Sequence, residues 1–112
     1  MSDMVVIVGP DPEKLAAACK DAKWNVSRVA GRGKRSALKD AGVPSASVVV
    51  LTDPDDATMI PLARELNTDV RIVVYTDRSV AEFARHQADL LLDPALVPPS
   101  LLVEELEASL AD

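Results

Sequence analysis

Five short apolar runs, each followed by a helix-patterned segment, constrain this chain more than any other feature. Four are strong, at Met4–Val8, Val48–Leu51, 72–75 and Leu90–Leu92, and a weaker one, Asn25–Val29, lies between the first two. Each is rich in Val, Ile or Leu and lacks clean polar alternation, the pattern of strands covered on both faces. The segments between them carry apolar residues at helical spacing. Helix 12–23 places Leu15, Cys19 and Ala22 on one stripe, and helix 57–66 places Met59, Ile60, Ala63 and Leu66 likewise. Helix 79–86 offers Val80, Phe83 and Ala84, and helix 98–111 offers Leu102, Val103, Leu106 and Leu110. A shorter helix over 34–41 ends at Gly42, a natural C-terminal cap.

Strands alternating with helices imply parallel βαβ units joined by right-handed crossovers. The expected fold is therefore a three-layer α/β/α sandwich around a five-stranded parallel sheet, one domain spanning 1–112. Aromatic residues make up only 3% of the chain, so the core must be built from aliphatic side chains.

Asp11-Pro12, Asp53-Pro54 and Asp93-Pro94 each stand between a strand and a helix, as does Thr76-Asp77. Asp accepts hydrogen bonds from free helix N–H groups and Pro suits the first helical turn, so these aspartates read first as caps.

The formal charge of −6 and sequence pI near 4.7 argue against a nucleic-acid or anionic-membrane binder. The single cysteine, Cys19, excludes an internal disulfide and a multi-cysteine metal site. No apolar run approaches the roughly 20 residues of a membrane span, and no basic segment precedes an apolar stretch at the N-terminus, so a cytoplasmic location is expected. No activated nucleophile or acid–base pair stands out. Cys19 falls mid-helix on an apolar stripe, and the only histidine, His86, lies at another helix's end, where capping is its expected role. Trp24, at the entry to a strand, is expected to pack as a lid.

From Trp24 onward the chain resembles the second half of an RCK N-terminal (TrkA-N) domain, the Rossmann-like regulatory module of potassium channels and transporters. The matching pieces are Val29-Ala30-Gly31, Leu38-Lys39-Asp40-Ala41-Gly42-Val43, Ala46-Ser47-Val48-Val49-Val50-Leu51-Thr52-Asp53, Ala63-Arg64-Glu65-Leu66, Arg71-Ile72-Val73-Val74-Tyr75, Gln87-Ala88-Asp89 and Leu92-Asp93-Pro94. The opening Val5-Val6-Ile7-Val8-Gly9 fits that family's first strand. The resemblance implies a regulatory, ligand-sensing subunit and, as a partner, a transporter or enzyme subunit.

The chain departs from that family where a dinucleotide would sit. After Val8 the sequence reads Gly9-Pro10-Asp11-Pro12-Glu13-Lys14, so one glycine remains where the pyrophosphate turn needs several. Two prolines remove N–H donors, and Asp11 and Glu13 put negative charge where a phosphate would bind. NAD in the usual Rossmann mode is not expected, and no cofactor is assigned. The family's second strand is also missing, which closes the strand order up to 2-1-3-4-5, the flavodoxin-like order. Short chains similar to this one are sometimes labelled CTP synthetase, but Gly33-Lys34 is followed by Arg35 rather than Ser or Thr, so no phosphate loop supports that label.

In such sheets ligands bind beyond the carboxyl ends of the strands. Gly9, Pro10, Asp11, Thr52, Asp53 and Thr76 are the candidate ligand-binding residues there. The loop bearing Arg32, Lys34 and Arg35 is a candidate clamp for a nucleotide phosphate or another anion. Asp53, Asp55 and Asp56 are weaker candidates for a divalent cation, since Mg²⁺ needs only one or two carboxylates. A degenerate receiver is the alternative of another class: Asp53 would be the phospho-acceptor and Thr76 the hydroxyl. The acid pair after the first strand and the lysine after the fifth are absent, so that alternative is a docking module; a small enzyme with a site the sequence does not reveal is the second alternative. The final helix carries Leu101 beside its core stripe, and a homodimer through that face is a further expectation.

Overall fold

The computed structural model describes residues 3–30 and 35–110. Five strands, β1 (Met4–Val8), β2 (Asn25–Val29), β3 (Val48–Leu51), β4 (Arg71–Tyr75) and β5 (Leu90–Leu92), form one sheet in the order β2-β1-β3-β4-β5, every pairing parallel. Five helices follow them: α1 (Leu15–Asp21), α2 (Arg35–Ala41), α3 (Met59–Leu66), α4 (Glu82–Gln87) and α5 (Pro99–Leu110). This is the expected flavodoxin-like sandwich.

The sheet divides the core in two. On one face Val6, Val8, Val49, Ile72 and Val74 pack beneath α2, α3 and α4, through Leu38, Ile60, Ala63 and Ala84. On the other, Val5, Ile7, Val48, Val50, Val73 and Tyr75 pack beneath α1 and α5, through Leu15, Cys19, Leu102 and Leu106. Side chains alternate across each strand, so a strand with helices on both faces must be apolar throughout. That holds for the three inner strands apart from Arg71, exposed at the start of β4. At the edges it fails: β2 is half-buried, and Leu90 and Leu91 of β5 are 37% and 40% exposed.

Several helices begin later than the sequence pattern predicts. α1 starts at Leu15, not at 12, because Lys14 takes a left-handed conformation (φ 60°) that no helix interior allows. Asp11 still caps it from four residues ahead, its carboxylate accepting the N–H groups of Leu15 (2.6 Å) and Ala16 (2.9 Å). The helix ends where Lys23 turns left-handed (φ 71°) and the Trp24 N–H reaches back to the Cys19 carbonyl. Asp53 caps not α3 but the 3₁₀ turn Pro54–Asp56, and α3 begins at Met59. Asp93 accepts the N–H of Ala95 in a turn that separates β5 from α5, and Thr76 rather than Asp77 closes the turn after β4. Gly42 ends α2 as expected, with φ 101° and its N–H on the Lys39 carbonyl.

Three side chains sit elsewhere than expected. Trp24 is no lid but part of the core beneath α1, 6% exposed. Phe83, expected on the buried stripe of its helix, is 46% exposed: only Ala84 of α4 is buried, and Phe83 lies about 100° round the helix from it. His86 caps nothing: it is exposed, with Nε2 3.8 Å from Glu82 one turn earlier.

Candidate functional site

The loops that leave β1, β3, β4 and β5 at their carboxyl ends enclose a cavity of about 240 Å³. Its walls are Pro10, Pro12 and Pro94, the ring of Tyr75, the hydroxyl-bearing Thr52 and Thr76, and four carboxylates, Asp11, Glu13, Asp53 and Asp77, set against the guanidinium of Arg78. The parallel register explains the convergence. Val8, Leu51 and Val74 stand side by side in neighbouring strands, so the residues just after each strand meet above the same sheet edge.

The first loop is locked from below. Gly9 adopts φ 103°, and a Cβ there would lie 2.7 Å from the Thr52 hydroxyl oxygen, so only glycine lets the chain cross this close to β3. Its N–H donates to the Val29 carbonyl, and its own carbonyl accepts from Arg28 Nη2 at 2.9 Å. The Gly9 amide is therefore committed to the sheet and does not point at a phosphate. The Thr52 hydroxyl lies within hydrogen-bond reach of the carbonyls of Val8 (3.2 Å) and Pro10. Asp11, the α1 cap, also lies 3.9 Å from Arg28.

The second and third loops are tied to each other. Asp53 Oδ1 accepts the Asp55 N–H at 2.9 Å and the Arg78 Nη1 at 3.2 Å, while Arg78 Nη2 reaches Asp55 Oδ2 at 3.4 Å. Thr76 Oγ1 accepts the Arg78 N–H at 3.1 Å and shapes the turn that presents the guanidinium. Arg78 is the residue of this candidate site that the sequence reading missed. Its signal was present: it follows β4 as Asp53 and Asp55 follow β3, and neighbouring parallel strands bring such positions together.

Tyr75 is buried and donates from its hydroxyl to the Val97 carbonyl at 2.5 Å. Burial, then the negative charges of Glu13, Asp11 and Asp93, push its phenol up to about 12. Cys19, beneath α1, is pushed up to about 11 by burial and by Asp11. A thiol so protonated and so enclosed is no nucleophile.

The proposed groupings are only partly assembled. Gly9, Pro10, Asp11, Thr52, Asp53 and Thr76 do gather at one edge of the sheet. Arg32 and Lys34 of the anion clamp lie outside the described residues. Arg35 starts α2 and pairs with Glu65 of α3 at 3.3 Å, an exposed contact between two helices. Of the three acids considered for a cation, Asp53 and Asp55 face Arg78, and Asp56 is turned inward and buried. Among the described residues no group of three or more His, Cys, Asp or Glu side chains is placed to hold a metal ion. No helix among them is long and apolar enough to cross a membrane.

This arrangement defines a flavodoxin-like α/β protein with its cavity at the carboxyl edge of the sheet. The chain belongs to the family of unknown function DUF7126, whose model matches residues 5–106. No curated protein matches it in sequence. Among solved structures it is similar to a putative pilus assembly-related protein of Burkholderia pseudomallei, at 15% identity and a TM-score of 0.66, over 97% of this chain and 90% of that one. It is also similar to a putative pilus assembly protein, CpaE, of Burkholderia thailandensis, at 12% identity and a TM-score of 0.60 over all of both chains. A response regulator protein of Burkholderia pseudomallei, solved with a phosphorylated aspartic acid, a calcium ion and citrate, matches at 21% identity and a TM-score of 0.62, over 98% of this chain and 74% of that one. At identities this low, the likeness shows a shared fold alone.

Proposed function

We propose that this chain is a receiver-like protein-docking module that carries out no phosphoryl transfer. The observation that carries the reading is the Arg78 guanidinium on Asp53. A receiver that accepts a phosphoryl group needs its acceptor carboxylate open beside a cation-binding acid pair and a lysine. Here the acid at the acceptor position is bound by an arginine from the next loop and by its own turn. The position after β1 holds Pro10 and the capping Asp11, and the position after β5 holds Asp93, which caps its own turn. The likeness to a response regulator and to two pilus-assembly proteins supports a role in protein assembly.

The test is incubation with Mg²⁺ and a small phosphodonor such as acetyl phosphate, followed by intact-mass measurement. No phosphoryl adduct is expected on the native chain or on Asp53→Ala. Stoichiometric, acid-labile phosphorylation that Asp53→Ala removes would overturn the reading.

A ligand-sensing module of the RCK-N-like kind is the second reading, and the cavity of about 240 Å³ favours it. Four carboxylates against one guanidinium disfavour an anion, so a nucleotide phosphate is a poor fit to this lining. A thermal-shift screen decides: saturating ligand at a hundredfold its dissociation constant stabilises a fold by about 2.7 kcal/mol. A clear shift with one nucleotide would move the protein into the sensor class.

A further inference from the structure

The acids of the carboxyl-edge cavity are not equally engaged. Asp11 accepts two N–H groups at the start of α1, and Asp53 accepts from Arg78 and from the Asp55 N–H. Glu13 and Asp77 are exposed, and neither side chain makes a hydrogen bond or ion pair among the described residues. They belong to the loops after β1 and β4, the strands on either side of β3, and both line the cavity. Negative charge is felt as far as the buried wall. After burial itself, Glu13, Asp11 and Asp93 are what hold the proton on Tyr75.

Three features narrow what this lining accepts. Among the described residues no three acids converge as a metal ion requires. Carboxylates spread around a wall suit instead a cation whose charge is also spread, such as a planar guanidinium. The volume of about 240 Å³ falls below the roughly 300–1,000 Å³ of sites for drug-sized molecules, so the cavity admits a side chain rather than a nucleotide. Much of the remaining wall is apolar: Pro10, Pro12, Pro94 and the Tyr75 ring offer a surface for a methylene stem.

We infer that this cavity receives an arginine side chain of a partner protein, its guanidinium balanced by Glu13 and Asp77 and its stem against Tyr75 and the prolines. The inference rests on the docking reading and gives the partner's chemistry. Free arginine fits less well, because it brings a carboxylate that the acidic lining repels; within a protein chain that group is an amide. Arg78 opposes the incoming charge, so the native chain binds below its full electrostatic capacity.

The test titrates N-acetyl-arginine methylamide into the ¹⁵N-labelled full chain and follows the amide shifts. The citrulline analogue serves as an uncharged isostere. Saturable shifts centred on residues 11–13 and 76–78 are expected with arginine and none with citrulline, and the affinity should fall as salt is added. Glu13→Gln/Asp77→Asn should raise the dissociation constant about fivefold or more, since two partly screened ion pairs are lost. Glu105→Gln/Glu107→Gln, which removes the same charge from α5, should leave it unchanged. Arg78→Ala should lower it, because the lining loses its guanidinium. The four acids are exposed, so circular dichroism should give both double variants the native melting curve. Absent or unsaturable shifts, equal shifts from citrulline, or an affinity indifferent to Glu13→Gln/Asp77→Asn would overturn the inference. Such a failure without a phosphoryl adduct would spare the docking reading, whereas an adduct on Asp53 would remove both.

Discussion

Arg78 Nη1 stands 3.2 Å from Asp53 Oδ1, and Arg78 Nη2 stands 3.4 Å from Asp55 Oδ2, so one guanidinium joins loops that lie 25 and 23 residues apart in the chain. The pair bridges β3 and β4 at the mouth of the cavity, where a phospho-acceptor would have to be free.

Arg78→Ala should lower stability by no more than about 1 kcal/mol, because an exposed pair is screened and gains little over solvation. Asp53→Ala should cost as much or more, since it also strips the Asp55 N–H of its acceptor. Urea unfolding of both variants checks the order. A loss above about 3 kcal/mol for Arg78→Ala would show that the pair behaves as a buried one.

Gly9→Ala should be the most damaging small substitution at the site. The new Cβ meets the Thr52 hydroxyl at 2.7 Å in a backbone conformation with φ 103°. Strain of this kind costs about 1–3 kcal/mol, or several degrees of melting temperature in a domain of this size. Thermal denaturation reads it directly, and the double variant Gly9→Ala/Thr52→Ala should regain part of the loss if the contact with Thr52 is responsible.

Cys19 should react slowly with a disulfide reagent in the native state. With the thiol pushed up to about 11, only about a thousandth of it is thiolate at pH 8. Its burial further restricts attack to moments when α1 opens. Ellman's reagent should label one thiol per chain promptly in urea and only slowly without it. Fast native labelling would mean that α1 does not cover the sheet as described.

Tyr75 is the chain's only tyrosine, so its ionisation can be followed alone by ultraviolet absorbance. The folded phenol should titrate near pH 12, well above the ordinary value of 10. The folded state holds this proton more tightly than the unfolded one. The associated stability is therefore complete below about pH 10 and is lost as pH rises toward 12. Titration near 10 in the folded protein would mean that the ring is more open to solvent than its place beneath Val97 allows.

Much of the fold was legible because a parallel sheet leaves a local signature. Met4–Val8, Asn25–Val29, Val48–Leu51 and Leu90–Leu92 match their apolar runs, and the fourth strand differs by one residue, Arg71. The order β2-β1-β3-β4-β5 matches the one implied by the resemblance to an RCK N-terminal domain that lacks its second strand. Gly42 at the end of α2 was legible for the same reason, since it answers to its immediate neighbours.

By itself, then, the sequence determined the elements, their order and which loops share the carboxyl edge, because hydrophobic periodicity and caps act over a few residues. Contacts across the fold decided the rest. The space beneath α1 and α5 took Trp24 into the core. The loop after β4 swung Arg78 onto Asp53, Arg35 found Glu65 on a neighbouring helix, and Asp56 turned inward while its neighbours stayed out. Each of these depends on two segments distant in the chain being brought close together. A pattern read along one segment has no means of ranking such partners, because their energies depend on distance and burial that exist only after folding.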